Sequence, residues 1–262
     1  MSDMSVRFSD GTAYEQGMGR WSRPVGEVFL DWLAPPAGWR WLDVGCGSGA
    51  FTELLVQRCA PAETFGIDPS QAQLAFARNR PGARGAVFQP GDAMALPFAD
   101  NRFDAAVMAL VIFFVPDPAK ALAEMVRVVR PAGLVAAYAW DRLTGGSPFA
   151  PVQAELRAMG VPMVLPPSLN VSRTDALREL WADAGLTQLE TREIAVQREF
   201  PDFDAFWEAS TKTGTVRQTL AGMPREDIER LKQRVRARMT PGAQGAITHQ
   251  ARANAIRGRV PG

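Results

Sequence analysis

The chain has 262 residues, with 29 lysines and arginines against 28 aspartates and glutamates, one histidine and two cysteines. That length supports one large domain, or a domain with an insertion, around a substantial core. A formal net charge of +1 argues against a dedicated nucleic-acid binder, which needs a concentrated basic face.

Residues 1–11 are polar and carry no hydrophobic targeting run. The longest apolar stretch, residues 105–115, falls short of the roughly 20 residues that span a bilayer, so the expected location is cytoplasmic, with no membrane partner. The first helix is predicted from Ser22 as cap, Pro24 in the first turn, and Val25, Val28, Phe29, Trp32 and Leu33 at helical spacing, ending at Pro35-Pro36.

A buried strand follows and runs into Leu42-Asp43-Val44-Gly45-Cys46-Gly47-Ser48-Gly49, after which Phe51, Leu54 and Leu55 mark a helix. Strand, glycine turn and helix start let backbone lie directly against a nucleoside-type cofactor, because glycine permits positive φ and removes side chains. The spacing G-x-G-x-G differs from the dinucleotide fingerprint G-x-G-x-x-G. A second apolar strand ends at Asp68-Pro69, where an acid about 20 residues past the loop can accept from a ribose diol. That reading holds for more than one cofactor. Downstream stand Gly91-Asp92-Ala93-Met94-Ala95-Leu96-Pro97-Phe98, then Phe103-Asp104-Ala105-Ala106-Val107-Met108-Ala109-Leu110, an amphipathic helix over 119–129, and Arg130-Pro131-Ala132-Gly133-Leu134.

These four segments, in this order over residues 39–140, resemble the class I S-adenosylmethionine (SAM)-dependent methyltransferases of the type 11 or UbiE-like subgroup. The resemblance implies a Rossmann-like doubly wound α/β fold, a seven-stranded sheet, mostly parallel with an antiparallel last strand. It implies SAM as cofactor, S-adenosylhomocysteine as product, and a small-molecule acceptor. It assigns Asp43, Gly45, Cys46, Gly47 and Gly49 to the amino-acid end of SAM, Asp68 and Pro69 to the ribose, and Asp92 and Ala93 to adenine. Met94 is expected to pack on the ring, and Ala109 to complete the cofactor set. In such enzymes the stretch before the first helix closes over SAM, so Arg20 is expected to pair with the methionine carboxylate; the alternative is a surface arginine beside a packing tryptophan.

The chain departs from its relatives where many place a histidine after the fourth strand, since Phe113-Phe114-Val115 stands there. Leu110, Val111, Phe113, Phe114, Trp140 and Trp207 are expected to line an apolar acceptor site. Tyr14 and Asp141 are the candidates for a proton acceptor, should the nucleophile need one. The missing histidine also keeps open a SAM-binding protein without turnover, and a nucleotide-cofactor oxidoreductase is the third reading. Cys46 reads as a small apolar residue, against a reactive thiol at a helix start. No metal site is expected, since Cys46 and Cys59 form no ligand cluster and His249 lies far from any acid cluster. The oligomeric state is not readable from one sequence.

Past Trp140, a short helix near 149–159 and another over 174–184, closed by Gly185, precede a strand over 187–200. Its partner is expected over 246–257, with two helices inserted between them in residues 201–240. The expected organisation is a single domain, 1–262, with a cofactor-covering segment (1–38) and a SAM-binding core (39–140). The basic residues Arg225, Arg230, Lys232, Arg234, Arg236 and Arg238 are read as a solvated helix face, since acidic residues interleave at its start and the charge order suits the helix dipole.

Overall fold

The computed structural model describes residues 18–212 and 214–262. In chain order its main elements are α1 (Arg20–Leu33), β1 (Arg40–Val44), α2 (Ala50–Cys59), β2 (Glu63–Asp68), α3 (Gln71–Arg78), β3 (Val87–Pro90), β4 (Phe103–Ala109), α4 (Pro118–Val128) and β5 (Val129–Trp140). Then come α5 (Ala150–Ala158), α6 (Thr174–Asp183), β6 (Thr187–Phe200), α7 (Phe203–Thr211), α8 (Gly214–Ala221), α9 (Arg225–Arg238) and β7 (Ile247–Arg259).

Alternation along the central strands builds the layers. Trp41, Ala105, Val107, Leu134, Ala136 and Tyr138 pack on one face with Val25 and Phe29 of α1 and Leu54 and Leu55 of α2. Their chain neighbours Leu42, Ala106, Met108, Val135 and Ala137 pack on the other with Leu122 and Met125 of α4 and Leu177 and Trp181 of α6. Strands buried on both faces are near-continuous apolar runs, as a parallel sheet between helix layers requires. The Trp181 indole N–H donates to the Val135 carbonyl at 3.2 Å, which fixes α6 on β5.

The seven strands run in the order β3-β2-β1-β4-β5-β7-β6. The first five pair in parallel, and β7 runs antiparallel to both β5 and β6. This is the expected sheet with its antiparallel last strand. At the edge where β1 and β4 start, Asp104 accepts from Arg40 Nε at 3.1 Å and Arg130 Nε at 2.6 Å. Burial raises the pKa of that carboxyl, but the two guanidinium groups outweigh it and hold it down at about 2.

Two expectations need correction. Ser22 is not the cap of α1: the N-cap is Gly19, and the Ser22 hydroxyl donates back to the Met18 carbonyl at 3.0 Å. Among the described residues three α-helices, not two, lie between β6 and β7, because Gly214 at φ +62 opens a separate α8.

Register shows where those helices stand. β7 pairs with β5 only from Ala253 onward, whereas its first residues, Ile247 to Arg252, pair with β6 alone. The β6–β7 ribbon therefore projects past Trp140, beyond the C-terminal edge of the parallel strands. That edge is where open α/β sheets bind ligands.

Candidate active site

A cavity of about 870 Å³ opens at this edge, walled by the loops after β1, β2, β3 and β4, by α1, and by Leu165 and Pro167. The glycine loop after β1 turns under it. Gly45 and Cys46 both donate their N–H to the Ile67 carbonyl at 2.8 Å, tying the loop to the end of β2. Gly45 has φ +75, and a Cβ there would sit 2.5 Å from Val111 Cγ1. A Cβ on Gly47, which lines the cavity, would meet nothing within 4 Å, so the loop leaves open space where a side chain would stand.

Three carboxylates reach the cavity. Asp43, at the end of β1, has no solvent exposure; its Oδ2 accepts from Thr52 Oγ1 at 2.7 Å, while its Oδ1 has no hydrogen-bond partner among the described residues. Burial, with a smaller contribution from the Asp68 charge, pushes its pKa up to about 7, against the opposing Thr52 bond. Asp68 accepts from Gly47 N–H at 3.0 Å and Ser70 N–H at 2.8 Å, and burial raises its pKa too. Each of its oxygens has a second lone pair left for a ligand. Asp92 accepts from Met94 N–H at 2.9 Å and stands in the wall beside Ala93.

Gly45, Cys46, Gly47, Pro69, Ala109, Leu110 and Phe114 also stand in the wall. Leu110 carries φ +63, an uncommon conformation for leucine, held by its N–H donating to the Tyr138 carbonyl at 2.9 Å.

Other expected site residues lie elsewhere. Gly49 caps α2 at φ +79, close against Ala77. Met94 packs into the core beneath the sheet. Arg20 borders a separate recess of about 290 Å³ with Arg23, Glu53 and Arg80. Trp140 and Phe113 are buried outside the wall, and Trp207 stacks on Phe203 of its own helix. Asp141 is taken up by Arg252 at 3.1 Å and by the Thr144 hydroxyl. Tyr14 lies outside the described residues. Burial, then the Asp43 and Asp68 charges, push the Cys46 thiol well above its usual range, which favours its reading as a small apolar residue.

Several wall residues were not anticipated: Ser22 and Arg23 of α1, Ser48, Gln73, Tyr138, Leu165 and Pro167. Ser48 is held by Arg80, whose Nε donates to its carbonyl at 3.0 Å while Nη1 pairs with Glu53 at 2.8 Å.

The chemistry of this cavity suits a cationic end near Asp43, a diol at Asp68 and an amino-bearing heteroaromatic ring at Asp92. Comparison with known proteins identifies the family. A family described as methyltransferase domain matches residues 42–137. The chain is 31% identical over 203 residues to a demethylmenaquinone methyltransferase from Renibacterium salmoninarum, covering 70% of this chain and 81% of that protein. The chain belongs to the class I SAM-dependent methyltransferases. Within that family it is 37% identical over 121 residues to the ubiquinone/menaquinone biosynthesis C-methyltransferase UbiE from Roseobacter denitrificans. That match covers 45% of this chain and 48% of the relative, so the chain spans about half the length of that protein. Among solved structures, the YcgJ protein from Bacillus subtilis superposes with a TM-score of 0.61 at 18% identity, over 91% of this chain and 99% of that one.

Among the described residues there is no cluster of three or more potential metal ligands, and no helix is long and apolar enough to cross a membrane. The basic residues of α9 are largely paired: Arg230 with Asp227, Lys232 and Arg236 with Asp204, and Arg234 and Arg238 with Glu155.

Proposed function

We propose that this methyltransferase binds SAM in the cavity at the C-terminal edge of the sheet and transfers its methyl group to a small, hydrophobic acceptor. The observation that carries the reading is the convergence of three carboxylates, Asp43, Asp68 and Asp92, on one cavity floored by the glycine loop. The unpartnered Oδ1 of Asp43 would receive the cationic amino-acid end, Asp68 the ribose, and Asp92 with Ala93 the adenine. Bound SAM supplies a methyl group on a sulfonium, an electrophile that needs no metal or redox partner.

The residues do the rest. Gly45 and Gly47 let the backbone approach, Leu110 and Val111 shape the end of β4, and Phe114, Val115, Pro116, Leu165 and Pro167 wall the acceptor side with apolar surface. In-line displacement forms the nucleophile–carbon bond as the carbon–sulfur bond breaks, its electron pair leaving on sulfur. The protein's task is alignment and exclusion of water. No ionisable side chain stands in that acceptor wall among the described residues. An acceptor that arrives ionised, or with a free lone pair, needs no proton acceptor from that wall. Quinone-pathway relatives support a hydrophobic acceptor of this kind.

Calorimetric titration with S-adenosylhomocysteine tests the site. Each carboxylate bond to a ligand is worth about 1.5–3 kcal/mol, so Asp68→Ala and Asp92→Ala are each expected to weaken binding by roughly tenfold or more. A folded wild type that does not bind, or variants that bind like it, would remove the proposal.

A further inference from the structure

The acceptor half of the cavity is apolar up to Phe114, and directly behind that wall stands a guanidinium. Arg142 follows β5, is partly buried, and lies over the Phe113 ring with its guanidinium carbon 5.7 Å from the centroid. Phe113 is 4.5 Å, ring to ring, from Phe114, a residue of the cavity wall. The only polar contact of Arg142 among the described residues is Nη2 to Thr215 Oγ1 of α8, at 3.2 Å. No carboxylate pairs with it there. Several other partly buried arginines are matched by a carboxylate: Arg80 by Glu53, Arg127 by Glu124, Arg252 by Asp141 and Arg257 by Glu190.

The surroundings of Arg142 are built and fixed. One turn along α8 from Thr215, the Thr219 hydroxyl accepts from Val164 N–H at 3.3 Å, which sets the segment carrying Leu165 and Pro167. Ser168 N–H donates to the Phe113 carbonyl at 3.1 Å, and its hydroxyl to Val115 at 2.7 Å. Thus Arg142 joins α8 to Phe113, and the 164–168 segment is tied to the same two elements. The neighbouring acid, Asp141, is already engaged by Arg252.

We propose that Arg142 receives the anionic group of the acceptor, so that the substrate is a hydrophobic acid: an apolar body along Phe114 and Leu165, and a carboxylate or similar anion past them on the guanidinium. Burial holds the pKa of Arg142 down at about 10, so the group stays cationic at neutral pH while lacking an internal counter-charge. A desolvated guanidinium facing only a hydroxyl and an aromatic ring gains most from a ligand anion, which it can bind through two parallel N–H bonds. This inference rests on the methyltransferase reading and names its acceptor class.

The test uses full-length protein saturated with S-adenosylhomocysteine, titrated with 4-phenylbutyrate and, separately, its neutral amide. Wild type is expected to bind the acid about tenfold or more tightly than the amide. In Arg142→Met, whose stem still covers Phe113, that preference is expected to vanish while the homocysteine ligand binds within about twofold of wild type, since Arg142 is outside the cofactor wall. Equal binding of acid and amide by wild type, or an unchanged preference in Arg142→Met, would overturn the proposal. The wild-type comparison stands alone should the variant not fold. Failure to bind S-adenosylhomocysteine counts against the methyltransferase reading; homocysteine-ligand binding without acid preference counts only against Arg142.

Discussion

Asp43 offers the sharpest physical test of the site, because one substitution separates its charge from its shape. The carboxyl has no solvent exposure, one partner in Thr52, and a pKa pushed up from 3.8 to about 7 by burial. A carboxylate whose folded pKa lies above its unfolded value costs nothing below the unfolded pKa, where both states are protonated. The penalty grows as pH rises and is complete above the folded pKa. At 1.36 kcal/mol per pH unit, it is about 1.6 kcal/mol at pH 5 and about 4 kcal/mol at pH 8. Asp43→Asn keeps a hydrogen-bond acceptor for Thr52 and removes the titration. Relative to wild type, the variant is expected to gain about 2–3 kcal/mol of stability between pH 5 and pH 8, read by urea unfolding at both. Differencing the two proteins cancels the other carboxylates, such as Asp104 and Glu124, whose pKa values are lowered and whose stabilisation is lost as pH falls. A wild-type-to-variant gap that does not change with pH would refute the reasoning. The same substitution is expected to weaken S-adenosylhomocysteine binding at pH 8, where wild-type Asp43 is charged, so it trades function for stability.

Two further outcomes follow from the geometry. Gly45→Ala puts a side chain at φ +75 and its Cβ 2.5 Å from Val111. A cost of about 2–4 kcal/mol is expected from left-handed strain and overpacking, with cofactor affinity lost beside it; a thermal midpoint within a degree of wild type would contradict this. Glu155, almost fully buried on α5, pairs with Arg234 at 2.7 Å and with Arg238, both largely exposed. Glu155→Gln is expected to cost about 1–2 kcal/mol, less than a wholly buried pair because solvent screens the arginines. Hydrogen exchange should quicken in α9 first, and unchanged protection there would show that the pair does not hold the helix.

The central strands were legible because they are apolar on both faces and bounded by turn residues. The strand over 187–200 was read to the residue: Gly185, at φ +76, ends the preceding helix turn and Pro201 stops the ladder. The start of α1 was misread because Ser22 and Pro24 make a plausible first turn, whereas the helix begins earlier and Ser22 back-bonds within it. The helix α8 was missed because Gly-Thr-Val-Arg-Gln-Thr-Leu-Ala gives only Val216 and Leu220 as regularly spaced apolar residues. Within the site, residues inside the motifs could be placed from sequence, since a strand end and its turn travel together. Those supplied by tertiary folding could not. Arg20 and Arg23 differ by three residues, about 300° around a helix, and only Arg23 reaches the cavity wall. No local pattern tells which of the two faces inward, because that depends on how α1 leans against α2. Leu165 and Pro167 come from a proline-rich segment whose position is set by Thr219 and Ser168.

The charge layout gives the site a direction. Asp43, Asp68 and Asp92 gather negative charge at the glycine loop, while the acceptor wall is apolar with Arg142 behind it. On the proposed reading, a cationic donor meets carboxylates at one end and an anionic acceptor meets a guanidinium at the other. Each reactant is held by its complement, at opposite ends of the cavity. Transfer removes the donor's charge: the sulfonium becomes a neutral thioether, while the anion held by Arg142, away from the reacting atom, keeps its own. Asp43 then faces one positive charge fewer, so its pKa, held below the ligand-free value of about 7 while the cationic donor is bound, rises back toward it. Product release is thereby favoured by the same buried carboxylate that holds the donor. This account requires the preference for SAM over S-adenosylhomocysteine to rise with pH in the range below about 7, where Asp43 titrates in the two complexes, and that rise to be absent in Asp43→Asn. Paired titrations of the two ligands at pH 5 and pH 8 measure that preference, and a ratio indifferent to pH in wild type would place the holding charge elsewhere.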